Sequence, residues 1–229
     1  MNRIFRYAFP AVLFCLAFTP AAMAGINDDL YEAVTHSDTQ NVKDLLAQGA
    51  DPNSSWKNPF GEVWTALHVA AQNDNAEIAG LLLDKGADAN AKSLQSKQTP
   101  LMTAADYGSK KVAQLLLDRG ADPNAKDDNG TTPLLFAIDP NNWNGAVDAE
   151  AETEIVRALI AKGADPGVTK NGWTPLMYAA ARNKPEIVKL LVAKGADVNI
   201  SKDGNSALSL AENNGYADIV TILKAAGAK

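Results

Sequence analysis

The chain has 229 residues, of which 46% are hydrophobic and 21% are charged, and this balance is typical of a folded globular protein. Its 21 basic and 27 acidic residues give a formal net charge of −6. This charge argues against nucleic acid and anionic lipid as partners, because phosphate binding needs clustered positive charge. Cys15 is the single cysteine, which excludes a disulfide within the chain and a zinc site built from several cysteines.

The N-terminal segment, residues 1–24, resembles a secretory signal peptide. Arg3 and Arg6 form a short basic region, residues 8–18 are almost wholly apolar, and Ala22–Ala24 gives the small-x-small pattern that a signal peptidase recognises. The alternative is a retained membrane anchor, but the apolar stretch is too short to span a bilayer comfortably. A lipoprotein signal is disfavoured because Cys15 follows a bulky residue and not a small one.

Cleavage after Ala24 would leave a domain of residues 25–229 without cysteine. That domain would have 19 basic and 27 acidic residues, a net charge of −8, because Arg3 and Arg6 are removed. An extracellular eukaryotic domain often carries disulfides, whereas a bacterial periplasmic one need not. We therefore expect a periplasmic protein that has no membrane contact after cleavage.

Two short phrases recur along residues 25–229. One contains Gly-Ala and is found at Gly49, Gly86, Gly120, Gly163, Gly195 and Gly227. The other begins with Thr or Ser and is found at Thr65, Thr99, Thr132, Thr174 and Ser206, at intervals of 34, 33, 42 and 32 residues. Self-similarity at a period of about 33 residues indicates a repeat architecture.

Each repeat is predicted to be a pair of helices. The Thr or Ser caps the first helix, and in three repeats a proline follows at the first helical position, where a missing N–H costs nothing. The second helix has apolar residues at helical spacing, such as Ile187, Leu190 and Leu191, and a glycine ends it. The sequence therefore predicts an all-α fold of about six helix-turn-helix units.

These motifs resemble the ankyrin repeat. Thr-Pro-Leu-x-x-Ala-Ala, Glu-Ile-Val-x-Leu-Leu and Gly-Ala-Asp-x-Asn all occur within Thr174–Asn199. The resemblance implies an ankyrin-repeat solenoid with hairpin-like loops projecting from one edge, and first and last units that act as caps with polar outer faces. The units are expected at about 27–53, 64–90, 98–124, 131–167, 173–199 and 205–229.

The sequence contains no recognisable catalytic motif. His68 lies where the ankyrin pattern places a histidine that hydrogen-bonds locally, and His36 is expected to be a solvated residue at a helix end. The two histidines fall in different units and lack further ligands, so we expect no metal site, no cofactor and no enzyme activity. The glycines follow the repeat and not a phosphate-binding fingerprint, and no serine stands in a nucleophile elbow.

An acidic insertion lengthens the fourth unit. Residues 139–153 contain several carboxylates but lack the regular ligand alternation and the fixed glycine of a calcium loop. We expect instead a solvated loop that leads into a helix over Ala149–Ala161, whose early Glu150, Glu152 and Glu154 favour the positive end of the helix.

Side chains that the repeat does not require are the candidates for partner binding, because loops on a rigid scaffold are free to vary. Trp64 and Trp173 directly precede a first helix, where another unit has Gln98, and Tyr107 and Arg182 occupy a variable position at the end of a first helix. Trp, Tyr and Arg dominate binding hot spots. The candidate set is Trp56, Phe60, Trp64, Gln98, Tyr107, Trp143, Trp173, Tyr178 and Arg182.

Within this set, Trp64, Tyr107 and Trp173 are expected to form an exposed anchoring strip. For Trp56 and Phe60 the alternative is that the rings fold back and cover the helices beneath the loops. Exposed aromatic residues concentrated in variable loops favour recognition of a protein.

The predicted function is therefore the binding of one protein partner by a monomeric periplasmic module. One setting is immunity, in which the protein occludes a toxin delivered by a rival cell and its net negative charge steers association with a basic partner. The other is support of a periplasmic enzyme, such as one that removes peroxide. An unrecognised enzyme and a structural role in the envelope are further alternatives.

Overall fold

The computed structural model describes residues 20–58, 61–139 and 148–229, with side chains from Gly25 onward. Within these residues the chain forms helix pairs, as the repeat predicts. The helices are α1 (Pro20–Thr35), α2 (Thr39–Ala47), α3 (Ala66–Gln72), α4 (Ala76–Asp84), α5 (Pro100–Asp106), α6 (Lys110–Asp118), α7 (Pro133–Ile138), α8 (Ala149–Ala161), α9 (Pro175–Ala181), α10 (Pro185–Ala193), α11 (Ala207–Asn213) and α12 (Ala217–Ala225).

Two rows of helices make up the solenoid. Each odd-numbered helix, the first of its unit, packs against the next odd-numbered helix, and the even-numbered helices pack against one another in the same way. The two helices of every unit also pack together. The buried apolar side chains consequently form one continuous core from Leu30 to Leu223, which is how repeat proteins gain stability from nearest-neighbour contacts.

The first helices begin where the sequence predicts. Thr99 and Thr174 have extended backbones, and their hydroxyls accept hydrogen bonds from the N–H groups of Met102 and Met177 at 3.3 and 3.2 Å. These bonds satisfy donors that an uncapped helix end leaves without partners. The second helices end at a glycine in the left-handed region, such as Gly120 with φ +84°, a conformation that glycine adopts without strain.

Five loops link consecutive units, and we call them fingers 1 to 5. They comprise residues 53–65, 90–99, 124–132, 167–174 and 199–206. Finger 1 contains the antiparallel pair β1 (Ser55–Lys57) and β2 (Val63–Thr65), and finger 5 contains β3 (Ser201–Lys202) and β4 (Asn205–Ser206). Fingers 1, 2 and 3 are also joined to one another, because Leu94 N–H donates to the Val63 carbonyl at 3.2 Å and Asp128 N–H to the Ser96 carbonyl at 3.0 Å.

An asparagine ladder runs along the array. The Oδ1 atoms of Asn53, Asn90 and Asn124 each accept, at 2.8 Å, the N–H of the aspartate in the next unit's Gly-Ala-Asp phrase. Their Nδ2 groups donate to the carbonyl of that unit's glycine at 2.9, 3.4 and 2.9 Å. The ladder is interrupted at the fourth unit, where Gly167 occupies the asparagine position.

The helix predicted in the long fourth unit has the predicted bounds, Ala149–Ala161. Glu152 differs from the expectation of a solvated helix start, since its side chain is only 4% exposed and forms an ion pair with Lys184 of the fifth unit. The Glu152 side chain is buried because the fifth unit stacks on the fourth and places α10 against α8. The pair therefore joins two units and is not a surface charge.

No helix among the described residues is both long and apolar enough to cross a membrane. The first helix, α1, begins at Pro20 and continues past the expected cleavage site at Ala24.

Candidate functional site

Two aromatic side chains of the candidate set meet at the foot of finger 4. Trp173 pairs with Lys170 through two backbone hydrogen bonds of 3.0 Å and directly precedes the N-cap of α9. Its ring lies against Tyr178 on α9, with centroids 5.3 Å apart and planes inclined at 52°. Both side chains are half-buried, so each presents part of an aromatic surface to solvent beside the finger.

A charged pair lies next to these rings. Arg182 caps the C-terminus of α9 and forms an ion pair with Asp139, which caps the C-terminus of α7. Partial burial and the nearby Asp139 carboxylate raise the pKa of the Tyr178 phenol, and Arg182 opposes this shift. Tyr178 is therefore protonated at neutral pH and can donate a hydrogen bond. We call Asp139, Trp173, Tyr178 and Arg182 the α9 cluster.

The cluster contains three predicted residues and one that the prediction did not include as a binding residue. Asp139 was expected only as part of a solvated acidic insertion, and its ion pair with Arg182 depends on the stacking of α7 against α9. Nothing in the local sequence around Asp139 signals a partner 43 positions later.

Tyr107 and Gln98 lie in the third unit, apart from the α9 cluster. Tyr107 caps the C-terminus of α5 at the position equivalent to Arg182, and it is half-buried against the core. Gln98 is half-buried as well, and its carbonyl accepts a hydrogen bond from His68 Nε2 at 3.0 Å. Because first helices stack in order, Tyr107 and the α9 cluster are on the same face of the row of first helices, which we call the finger face.

Trp64 is not an exposed anchor, and the predicted strip of Trp64, Tyr107 and Trp173 is wrong in this respect. Trp64 is 6% exposed and stacks on His68, with centroids 5.8 Å apart. The register of finger 1 places Trp56 opposite Trp64, and opposed residues on an antiparallel ribbon share a face. That face is turned inward, toward α1 and α3, so the indole packs into the core.

Trp56 folds back onto the first unit. Its ring stacks on Tyr31 of α1 with centroids 4.9 Å apart, and its Nε1–H donates to the Asp28 carboxylate at 2.7 Å. Finger 1 is thereby fastened to the N-terminal cap. These contacts favour the alternative in which the Trp56 ring folds back and covers the helices beneath the loop.

Two of the predicted binding residues, Phe60 and Trp143, lie outside the described residues. One exposed apolar residue was missed. Leu94 at finger 2 is 60% exposed, the one large apolar side chain so exposed in the described ranges. The sequence could have indicated Leu94 as a candidate binding residue, because it is a leucine among polar residues at a position where the repeat does not require an apolar side chain.

The two histidines of the chain lie in different surroundings. His68 is buried, and desolvation lowers its pKa to about 4, against a smaller raising effect of the hydrogen bond to Gln98. His36 is exposed and its Nδ1 lies 2.8 Å from the Glu32 carbonyl. The described part of the chain holds no group of three or more His, Cys, Asp or Glu side chains arranged to bind a metal ion.

Comparison with known proteins agrees with this architecture. A solved ankyrin repeat domain from Acinetobacter baumannii AYE is 33% identical, with a TM-score of 0.73 over 87% of this chain and 98% of that chain. Ankyrin repeat, SAM and basic leucine zipper domain-containing protein 1 of Oryctolagus cuniculus is 42% identical over 77 residues, which is 34% of this chain and 15% of that protein. Neurogenic locus Notch protein of Drosophila melanogaster is 40% identical over 84 residues, 35% of this chain and 3% of that protein.

These curated relatives are much longer proteins, of which the chain matches only a small part. The family model described as ankyrin repeats (3 copies) matches residues 30–127 and 143–229, which is most of the chain. Together with the stacked helix pairs and the fingers, this match shows that the chain belongs to the ankyrin-repeat family.

Proposed function

We propose that this chain is an exported module that binds one dedicated protein in the periplasm through its finger face. The observation that carries the proposal is the α9 cluster, in which an indole, a phenol and a guanidinium from variable positions of the repeat meet beside finger 4. These three groups are the side chains most enriched in binding hot spots. Tyr107 lies on the same face, at the position equivalent to Arg182, and Leu94 of finger 2 is an exposed apolar side chain.

The specific role that we propose is neutralisation of a toxin. Support comes from the charge of the domain left after cleavage, 19 basic and 27 acidic residues. A net charge of −8 raises the rate of encounter with a basic protein at low ionic strength. His68 is buried and neutral, and Glu152 forms an ion pair between two units. Both side chains therefore serve the repeat structure, as expected of a scaffold that binds its partner without reacting with it.

The experiment is capture of the partner from periplasmic extract, followed by calorimetric titration with purified variants. Trp173→Ala and Arg182→Ala are each expected to weaken binding by about 1–3 kcal/mol, the hot-spot range. Arg119→Ala is the matched control, because Arg119 is also an exposed arginine in an inter-unit ion pair, with Asp84 at 2.7 Å, but joins second-row helices. Equal affinities for all three variants and the unmodified protein would place the binding surface elsewhere.

The captured protein also decides the role. If it is a toxin, its expression in the periplasm should stop growth only in cells that lack this chain. If it is instead an enzyme whose turnover falls when this chain is removed, the accessory role replaces immunity.

A further inference from the structure

Leu94 of finger 2 is an exposed apolar side chain on a backbone that hydrogen bonds hold in place. Its N–H donates to the Val63 carbonyl of finger 1 at 3.2 Å, and its carbonyl accepts a hydrogen bond from Lys97 Nζ at 2.8 Å. The adjacent Ser93 is buried, its N–H donates to the Gln98 carbonyl at 2.8 Å, and its hydroxyl accepts the Gln98 N–H at 3.1 Å. One exposed leucine is ordinary on a protein surface, but a leucine on a fixed backbone costs less entropy to bind through than one on a loose loop.

Lys97 shows that finger 2 keeps this arrangement at a conformational cost. It lies two residues before the N-cap of α5 and has φ +60°, in the left-handed region. Fingers 3, 4 and 5 have glycine at the equivalent position, Gly130, Gly172 and Gly204, with φ +74°, +83° and +79°. Lysine is strained in a conformation that glycine adopts freely, and such strained residues are concentrated at functional sites. Here the strained lysine places its ammonium group beside Leu94.

Finger 2 is positively charged, unlike the domain as a whole. It contains Lys92 and Lys97 and no acidic residue. The fingers on either side contain three acidic residues. Glu62 is half-buried and Asp127 is buried, and both accept backbone N–H groups, whereas Asp128 is exposed. The surroundings of the exposed leucine therefore favour carboxylates on a molecule that contacts it.

We propose that Leu94 inserts into an apolar pocket of the protein partner and that a carboxylate at the rim of this pocket pairs with Lys97. Insertion removes the apolar surface of the leucine from water, and the ion pair fixes the orientation in which the pocket is entered. This contact rests on the proposed function and gives the partner a second anchor beside the α9 cluster. The net charge of the domain favours a partner that is basic overall, so the carboxylates are a local feature of its pocket.

A synthetic host tests this chemistry without the partner. Carboxymethyl-β-cyclodextrin has an apolar cavity with carboxylates at its rim, and β-cyclodextrin has the same cavity without charge. The readout is the methyl resonances of Leu94 in the ¹³C-labelled protein, assigned by their absence from Leu94→Ala. Both hosts should shift these resonances saturably, and the carboxymethylated host should bind about fivefold more tightly or better at low salt. Shifts that do not saturate, or equal affinities for the two hosts, would overturn the proposal.

Lys97→Gly separates a binding role of the lysine from a purely structural one. Glycine relieves the backbone strain, so the variant should unfold at the same or a higher urea concentration and yet lose the preference for the carboxymethylated host. The control is Asp203→Gly, the same change at a left-handed residue of finger 5 with φ +52°, and it should keep the preference. A preference that survives in Lys97→Gly contradicts the pairing of Lys97 with the rim.

The captured partner provides a second test. Leu94→Ala should weaken its binding about tenfold or more, as expected for a hot-spot residue, and should leave the urea midpoint unchanged because the side chain is 60% exposed. If Trp173→Ala and Arg182→Ala weaken binding but Leu94→Ala does not, the α9 cluster stands and the contact at finger 2 is wrong. If none of the three variants weakens binding, the proposed binding surface itself is wrong.

Discussion

His68 illustrates how a titratable side chain becomes part of the frame. Its Nδ1 lies 2.9 Å from the Thr65 hydroxyl and accepts the Thr65 N–H at 3.3 Å. Its Nε2 faces the carbonyl of Gln98, so Nε2 carries the proton of the neutral ring. Burial therefore holds the pKa of His68 near 4, because protonation would place a charge in the core and add a donor at Nδ1.

This environment predicts a pH-dependent stability. In the unfolded chain the imidazole has its ordinary pKa of 6.5, whereas in the folded protein its pKa is about 4. Between these pH values the unfolded state binds a proton that the folded state does not. The contribution of His68 to the free energy of unfolding is therefore fully present above about pH 6.5 and declines as the pH falls toward 4. The loss should be on the order of 3 kcal/mol in the free energy of unfolding, measured by urea denaturation.

The matched variant is His68→Met. Met102 occupies the equivalent position in the third unit, and its sulfur accepts the Thr99 N–H at 3.4 Å, so methionine suits this place in the repeat. We expect the variant to lose most of the decline between pH 6.5 and 4, while His36→Met, at an exposed site, should keep it. An unchanged slope in His68→Met would assign the pH dependence to other groups.

At the scale of the element, α6 is capped from outside its own unit. Its N-cap residue, Ser109, makes no side-chain hydrogen bond to the helix. Instead the carboxylate of Asp74, in the second unit, accepts the N–H groups of Lys111 and Val112, both at 3.1 Å. Asp74 has φ +49°, a left-handed conformation that places its side chain at the start of the neighbouring helix.

Asp74→Gly should therefore lower the free energy of unfolding by about 1 kcal/mol, the usual magnitude for a lost helix cap. Glycine accepts the left-handed backbone without strain, so the change removes the acceptor without straining the folded backbone. Asp74→Asn keeps an acceptor, and asparagine is the residue at the equivalent position, Asn183, so this variant should retain most of the stability. The result would contradict the capping role if both variants unfolded at the same urea concentration.

Helices were predictable because their signals are local. Thr174, Pro175 and the following alanines specify the start of α9 within a few residues, and α8 has the bounds that its charges and apolar spacing predict. The capping of α6 by Asp74 was not predictable in this way, because it joins residues 37 positions apart. The inward turn of Trp64 has the same origin, since it follows from the pairing of two short strands and their packing on a neighbouring unit.

At the scale of the molecule, the ladder joins the first four units in order, and Asn199 joins the fifth unit to the sixth by accepting the Lys229 N–H at 3.1 Å. Gly167 donates its N–H to Asp165 at 2.8 Å, as Asn124 does to Asp122 at 2.8 Å, so the turn is the same without the amide. The fifth unit consequently lacks the two bonds that an asparagine would supply. Stability of a repeat array is the sum of unit and interface contributions, so this junction is a place where stability can be added.

Gly167→Asn should raise the free energy of unfolding by about 1–2 kcal/mol, from two hydrogen bonds and a stiffer unfolded chain. A side chain there meets the Asp165 carboxylate at 3.3 Å, and Asn124 occupies the equivalent position of the same kind of turn. Gly167→Ala is the control, with an expected gain below about 1 kcal/mol from the unfolded chain alone. If alanine stabilises as much as asparagine in thermal or urea unfolding, the ladder contributes nothing at this junction.

The fastening of finger 1 to α1 gives the protein an intrinsic optical reporter. The emission of the Trp56 indole depends on its stacking with Tyr31 and on its hydrogen bond to Asp28. Detachment of the N-terminal helix would break both contacts and change the tryptophan fluorescence while the other units stay folded. Local unfolding of the N-terminal unit is therefore observable without an added label. The spectrum of the Trp56→Phe protein shows the contribution of the other tryptophans.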